Sequence, residues 1–175
     1  VLRDAETSKH LNKVILREAS DPQRLLQLVE DHGSRLQALN VCTLLHRLAK
    51  RLAKEGVARM IEKTREIQQT SQWRTLLDLV YRFAPDCNNM ELTNCLWAIA
   101  TMDARGAPEE EVVLQLLRYC LHYIDTFEPR NLALAAWALA KMGYRDPEWC
   151  RIWASHVLQR LRDFDTRDMT MIVWA

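Results

Sequence analysis

The sequence predicts an all-α protein, an α-solenoid of about four and a half stacked antiparallel helical hairpins, and three observations carry that prediction. MELTNCLWAIATM from Met90, RNLALAAWALAKM from Arg130 and RDMTMIVWA from Arg167 are versions of one segment, with Trp97, Trp137 and Trp174 in register at separations of 40 and 37 residues. Self-similarity near that period marks helical hairpins that bury their apolar faces only against neighbours. Four glycines and five prolines in 175 residues, nearly all assignable to helix ends, leave little material for β-turns, and few segments alternate with period two. At 49% hydrophobic the chain can bury a long core, and no run approaches the roughly 18 uninterrupted apolar residues of a membrane span, so no membrane insertion is expected.

Read from the N-terminus, LNKVILREA is a first helix, and Ser20-Asp21-Pro22 opens a second, RLLQLVED, which Gly33 closes. Residues 35–86 form an irregular repeat with an insertion. LNVCTLLHRLAKRL from Leu39 resembles the tryptophan-bearing helix, with His46 in the tryptophan's place. A surplus of about a dozen residues before the next tryptophan includes a charged helical stretch, Val57 to Gln69, ahead of WRTLLDLVYRF from Trp73. Residues 87–126 and 127–163 are regular repeats, and 164–175 start another, all within one helical-repeat domain over 1–175.

The regular repeats share a grammar. Cys87, Phe127 and Phe164 each stand just before a capping position, a polar residue follows three places after the cap, and an aliphatic residue one place later. That is a helix N-terminus with a capping-box-like pair and a hydrophobic staple, here opening helix A of each repeat. Pro129 falls at a first helical position, where its missing N–H is harmless. Gly106 with Pro108, and Gly143 with Pro147, read as the stop of helix A and the start of helix B, which runs roughly from Pro108 to Ile124 and from Pro147 to Arg162. Glu109, Glu110 and Glu111 then complement the helix dipole rather than hold a metal. The chain begins with Val1 and stops just past Trp174 without a polar cap, so neighbouring protein subunits or further chain are expected to cover that face.

Catalytic chemistry is not expected. Five cysteines without a C-x-x-C pair suit reduced, buried thiols, and there is no Gly-rich phosphate loop, nucleophile elbow or H-E-x-x-H. No catalytic residue, metal ligand or cofactor is assigned. Net charge is only +1, but residues 1–65 carry 13 Lys and Arg against 8 Asp and Glu, whereas the remainder is net acidic. The basic half can attract phosphate backbone, while Arg47, Lys50, Arg51 and Lys54 also fit a solvated helix face. The tryptophans admit two uses, stacking platforms for bases or packing between layers, and their setting among Ala, Leu and Ile favours packing.

NLALAAWALAKMGYRDPE, with LTNCLWAIATM as its weaker partner, resembles the octotricopeptide and heptatricopeptide repeats of organellar proteins, and the related helical region of FAST-kinase-like and RAP-domain proteins. The specific part is the L-x-x-x-x-W-A-[LI]-A-x-M run with downstream Gly and Pro, and it covers residues 87–175. The resemblance implies a solenoid whose A helices line a surface that binds organellar RNA; no RAP-type domain is visible in this sequence. On that surface the expected RNA contacts are Asn40, Glu91, Asn131 and Asp168 at one repeated position, Arg130 and Arg167 just before it, and Arg47, Lys50 and Lys141 toward the other end. Asn40, Glu91, Asn131 and Asp168 also occupy capping-box positions. The resulting expectation is a non-catalytic binder of single-stranded or ribosomal RNA in a mitochondrial (alternatively plastid) ribonucleoprotein such as the ribosome. The alternative is a purely structural scaffold subunit of a mitochondrial complex.

Overall fold

The computed structural model describes residues 2–175, with side chains from Glu6 onward. Among these residues there are ten α-helices and no strand: α1 (Leu2–Arg17), α2 (Pro22–His32), α3 (Ala38–Leu52), α4 (Val57–Gln68), α5 (Ser71–Phe83), α6 (Asn89–Met102), α7 (Ala107–His122), α8 (Pro129–Met142), α9 (Pro147–Gln159) and α10 (Thr166–Trp174). Among the described residues no helix is long and apolar enough to cross a membrane. Helices α1, α3, α6, α8 and α10 pack in series, each on its predecessor, and α2, α5 and α7 pack in series behind them. Helix α9 rests on α8 and on the turn that precedes α8. These are the A and B helices of the repeats.

The same junction leads from B to A four times. The B helix is followed by one 3-10 turn (Gly33–Arg35, Ala84–Asp86, Ile124–Thr126, Leu161–Asp163), then by one residue in extended conformation, then by the N-cap. The extended residues are Leu36, Cys87, Phe127 and Phe164, and the first three are buried. The caps are Gln37, Asn88, Glu128 and Asp165. Buried Val41, Leu92 and Leu132 occupy the staple positions one turn on. An apolar side chain driven into the core on each side of a polar cap sets where the helix begins.

The A-to-B turns differ from the expected pattern. Helix α8 stops at Gly143 in the left-handed region (φ 71°), but the residue that stops α6 is Asp103 (φ 53°), not Gly106. In both, the next amide closes back on the helix, Ala104 N–H on the Ile99 carbonyl and Tyr144 N–H on that of Leu139. Aspartate tolerates this conformation better than most residues, and its carboxylate accepts from Arg105 Nε at 2.7 Å. Gly106 instead caps the start of α7. Likewise Gly33 does not close α2 with a left-handed residue but starts the following 3-10 turn.

The inserted stretch is α4. Glu55, between α3 and α4, holds Arg51 (3.0 Å), Arg59 (3.3 Å) and Lys63 (2.6 Å). At its far end Gln68 donates through Nε2 to Glu109 Oε1 at 2.8 Å and to the Arg105 carbonyl at 3.0 Å. The same Glu109 oxygen accepts from the buried Trp73 indole at 2.8 Å, so this carboxylate, 4% exposed, ties α4 and α5 to α7. Its place in the first turn still suits the dipole, but its partners are an indole and an amide. Glu109→Ala leaves the buried Trp73 indole without an acceptor and Gln68 with the Arg105 carbonyl alone; a loss of about 2 kcal/mol is expected. Thermal unfolding followed by circular dichroism is expected to show Tm lower by roughly 4–8 °C.

Candidate nucleic-acid interface

Counted from each N-cap, the outward positions of the A helices are +2, +6, +9 and +13, the three-and-four spacing of one helix face, with Leu134 at +6 of α8 and Thr101 at +13 of α6 buried. At +9 stand His46, Trp97, Trp137 and Trp174. The first three are half-buried and Trp174 is 59% exposed, so these rings line the outer edge of the layer rather than fill its interior. Close packing of the A helices explains the difference. Ala98, Ala135 and Ala138 are fully buried where neighbouring helices approach, and that spacing has no room for an indole. The buried indoles are those of B helices, Trp73 and Trp149.

The rings pair along the row. His46 meets Trp97 edge-on with centroids 5.2 Å apart, and Trp137 lies 5.9 Å from Trp174. Lys141 sits with Nζ 5.0 Å from the Trp137 centroid and 3.4 Å from the Thr101 carbonyl, the arrangement of a cation over a π-face. Partial burial pulls its pKa below the ordinary lysine value. Lys50, at the same +13 position of α3, is exposed. Arg47 is half-buried beside it and lines, with Lys50, Arg51 and Lys54, a recess of about 290 Å³. Arg51 is committed there, donating to the Ser20 carbonyl at 2.8 Å and paired with Glu55.

The expected contact row at +3 faces inward. Asn40, Asn131 and Asp168 are 0%, 5% and 4% exposed, which corrects the expectation that they present free polar groups to a ligand. Each is held from two sides. Asn40 Oδ1 accepts from the Gln37 N–H (3.2 Å) and from Ser8 Oγ (2.9 Å), and Nδ2 donates to the Ser8 carbonyl (2.8 Å). Asn131 accepts from the Glu128 N–H (3.1 Å) and donates to Thr93 Oγ1 (3.2 Å). Asp168 takes Arg130 at 3.2 Å while its own N–H donates to Asp165. Glu91 is half-exposed and completes a reciprocal box with Asn88 (2.9 and 3.0 Å). Arg130 is therefore engaged with Asp168, whereas Arg167 is exposed and makes no ion pair among the described residues.

Sequence reasoning passed over +6, where Thr43 and Asn94 open onto the surface. The three-residue step from the tryptophan was the available signal. The side chains that the geometry brings together on one open face are thus the +9 rings, Lys50, Lys141 and Arg47 at the C-terminal side, and Arg167 at the N-terminal side of the last helix. Such a face can stack planar groups and attract anions.

Comparison with known proteins places this arrangement beside one curated relative. A chloroplastic RAP domain-containing protein of Oryza sativa subsp. japonica is 23% identical over 144 residues, which is 81% of this chain. The chain spans 22% of that relative's length. No family model matches the chain, and no solved structure matches it significantly.

Two outcomes separate structural from surface residues. Asn40→Ala, which strips partners from the Ser8 carbonyl and the Gln37 amide, is expected to lower stability by about 1–3 kcal/mol in urea unfolding. His46 provides the pH readout. Burial first, then Arg47 and Lys50, depress its pKa below the ordinary histidine value, so the neutral ring is favoured in the fold. That contribution is complete above the unfolded-state pKa and is lost as pH falls through the folded one. An NMR titration is expected to place the His46 midpoint below that of an unfolded control, and His46→Phe is expected to flatten the stability loss below about pH 6.5.

Proposed function

We propose that this chain is a non-catalytic helical-repeat module that binds single-stranded RNA through the outer row of its A helices. The observation that carries the reading is the row of half-exposed rings at +9 bordered by Lys50 and Lys141. Base stacking on aromatic faces contributes about 1–3 kcal/mol per base and tolerates any sequence, while lysines at the helix C-terminal side meet phosphate as point charges. The repeat motif supports an octotricopeptide- or heptatricopeptide-type assignment, and the curated relative's name supports an organellar setting, plastid or mitochondrion. A place in a ribosome or similar ribonucleoprotein accords with the low net charge, +1, since shared contacts need fewer cations.

A scaffold role has one observation in its favour. Leu158 on α9 and Leu161 just after it are 70% and 47% exposed, apolar surface suited to covering by protein. The two readings differ in what salt does. Fluorescence anisotropy with a labelled single-stranded oligoribonucleotide is expected to show binding at low salt that weakens as salt rises. Lys50→Glu with Lys141→Glu is expected to weaken it at least about tenfold, and exposed Lys50→Glu alone to weaken it in the same direction with an unchanged Tm. No detectable binding at low salt, or indifference to both charge reversals, overturns the RNA reading in favour of the scaffold.

A further inference from the structure

Resting on the RNA reading, we infer that the groove between the N-terminal halves of α3 and α6 is a nucleobase subsite, and that Asn94 reads the base in it, with adenine as the preferred occupant. The groove has a volume of about 590 Å³. Its lips are Leu39 and Met90, large apolar side chains left 42% and 64% exposed. Its wall carries Asn94 and His46, one helical step apart in register on neighbouring helices. An apolar rim around a polar wall suits a flat heterocycle, which needs desolvated faces and satisfied edges.

Most hydrogen-bonding groups around the groove are already engaged, and the Asn94 amide and the His46 ring stand apart from them. Asn88 and Glu91 bond each other across the cap, Asn89 donates to Thr126, and Asn131 is committed to Glu128 and Thr93. The Asn94 amide makes no hydrogen bond among the described residues and is half-buried at the outward +6 position. It therefore offers a donor and an acceptor side by side, the pair that engages the adenine amino group and ring nitrogen together. The His46 nitrogens make no hydrogen bond among the described residues either, and the ring lies edge-on to Trp97 at 5.2 Å, beside the site rather than across it.

Charge decides what enters. Glu91 and Glu128 line the same groove, and two carboxylates repel a phosphate while leaving an uncharged base unaffected. The phosphates are left to Lys50, Lys141 and Arg47 on the other side of the row. On α8 the position that matches Asn94 is taken by Leu134, which is 6% exposed and offers no hydrogen-bonding group. Base selection is thus concentrated at the α3–α6 step, with ring stacking alone farther along.

The test uses fluorescein-labelled oligoadenylate and oligouridylate of equal length, each titrated against the whole chain and two variants. The unaltered chain is expected to prefer oligoadenylate by about tenfold, the discrimination of one bidentate amide pair. Asn94→Ala is expected to bring the ratio to near one while oligouridylate affinity and Tm stay constant. Asn94→Asp, which keeps the shape but removes the donor, is expected to bind oligoadenylate more weakly than oligouridylate. An oligoadenylate preference that survives Asn94→Ala, or none in the unaltered chain, overturns the subsite while salt-dependent binding leaves the RNA reading intact. Absence of binding to both oligomers removes both.

Discussion

The architecture depends on a polar residue three places after each A-helix cap that is buried and bonded in two directions. A buried amide or carboxylate without partners is costly: the Asn40 and Asn131 amides are reached both by the cap of their own helix and by a group on the preceding A helix, and the Asp168 carboxylate by Arg130 of the preceding A helix while its own backbone N–H donates to the Asp165 cap. The first bond fixes where the helix starts. The second fixes its height against its predecessor. Together they set the register in which successive A helices stack, and the alignment of the outward row follows. Glu91 is the exception that fits: its helix faces Cys42 at the matching point, a thiol with little to offer a carboxylate, and the side chain stays half-exposed in its box.

Much of this was legible in the chain. The repeat period, the cap grammar, the inserted helix and the start points of the B helices follow from apolar spacing and from proline and acid at helix starts, all local effects. What resisted reading was direction. Whether Asn131 points to solvent or to Thr93 depends on a neighbour some forty residues away, and no local rule distinguishes a capping asparagine that is free from one that is clamped. The tryptophans failed for the opposite reason. Their alanine-rich surroundings are those of a buried helix, yet the alanines themselves draw the helices too close for an indole and push the ring to the edge. Asp103 in place of Gly106 is a smaller case: either residue can take the left-handed turn, and glycine was the stronger local signal.

The insertion shows which layer is under constraint. Helix α4 adds a whole element between α3 and α5, yet α3 packs directly on α6 as α6 does on α8. The added length is absorbed beside the B helices, held at one end by Glu55 and at the other by Gln68 on Glu109. A break in the sequence period is therefore no break in the A layer. Interactions that depend on the spacing of A helices, including ring pairing across +9, are insulated from variation in the loops and helices behind them.

The polarity of the face follows from helix electrostatics before any ligand is considered. Acidic groups gather at the N-terminal ends of the A helices, where Glu91, Glu128 and Asp165 meet the positive ends of the dipoles, and Lys50 and Lys141 lie near the C-terminal ends. Each tendency is modest, but because the helices stack in register the acidic groups lean to one side of the rings and Lys50 and Lys141 to the other, with Arg130 and Arg167 interrupting the acidic side. A single strand lying along such a face has one favourable orientation, phosphates over the lysines and bases across the rings toward the acidic side. A chain of net charge +1 can in this way offer a directional track to a polyanion, since the opposing charges that cancel in the sum are separated across the width of the helix layer.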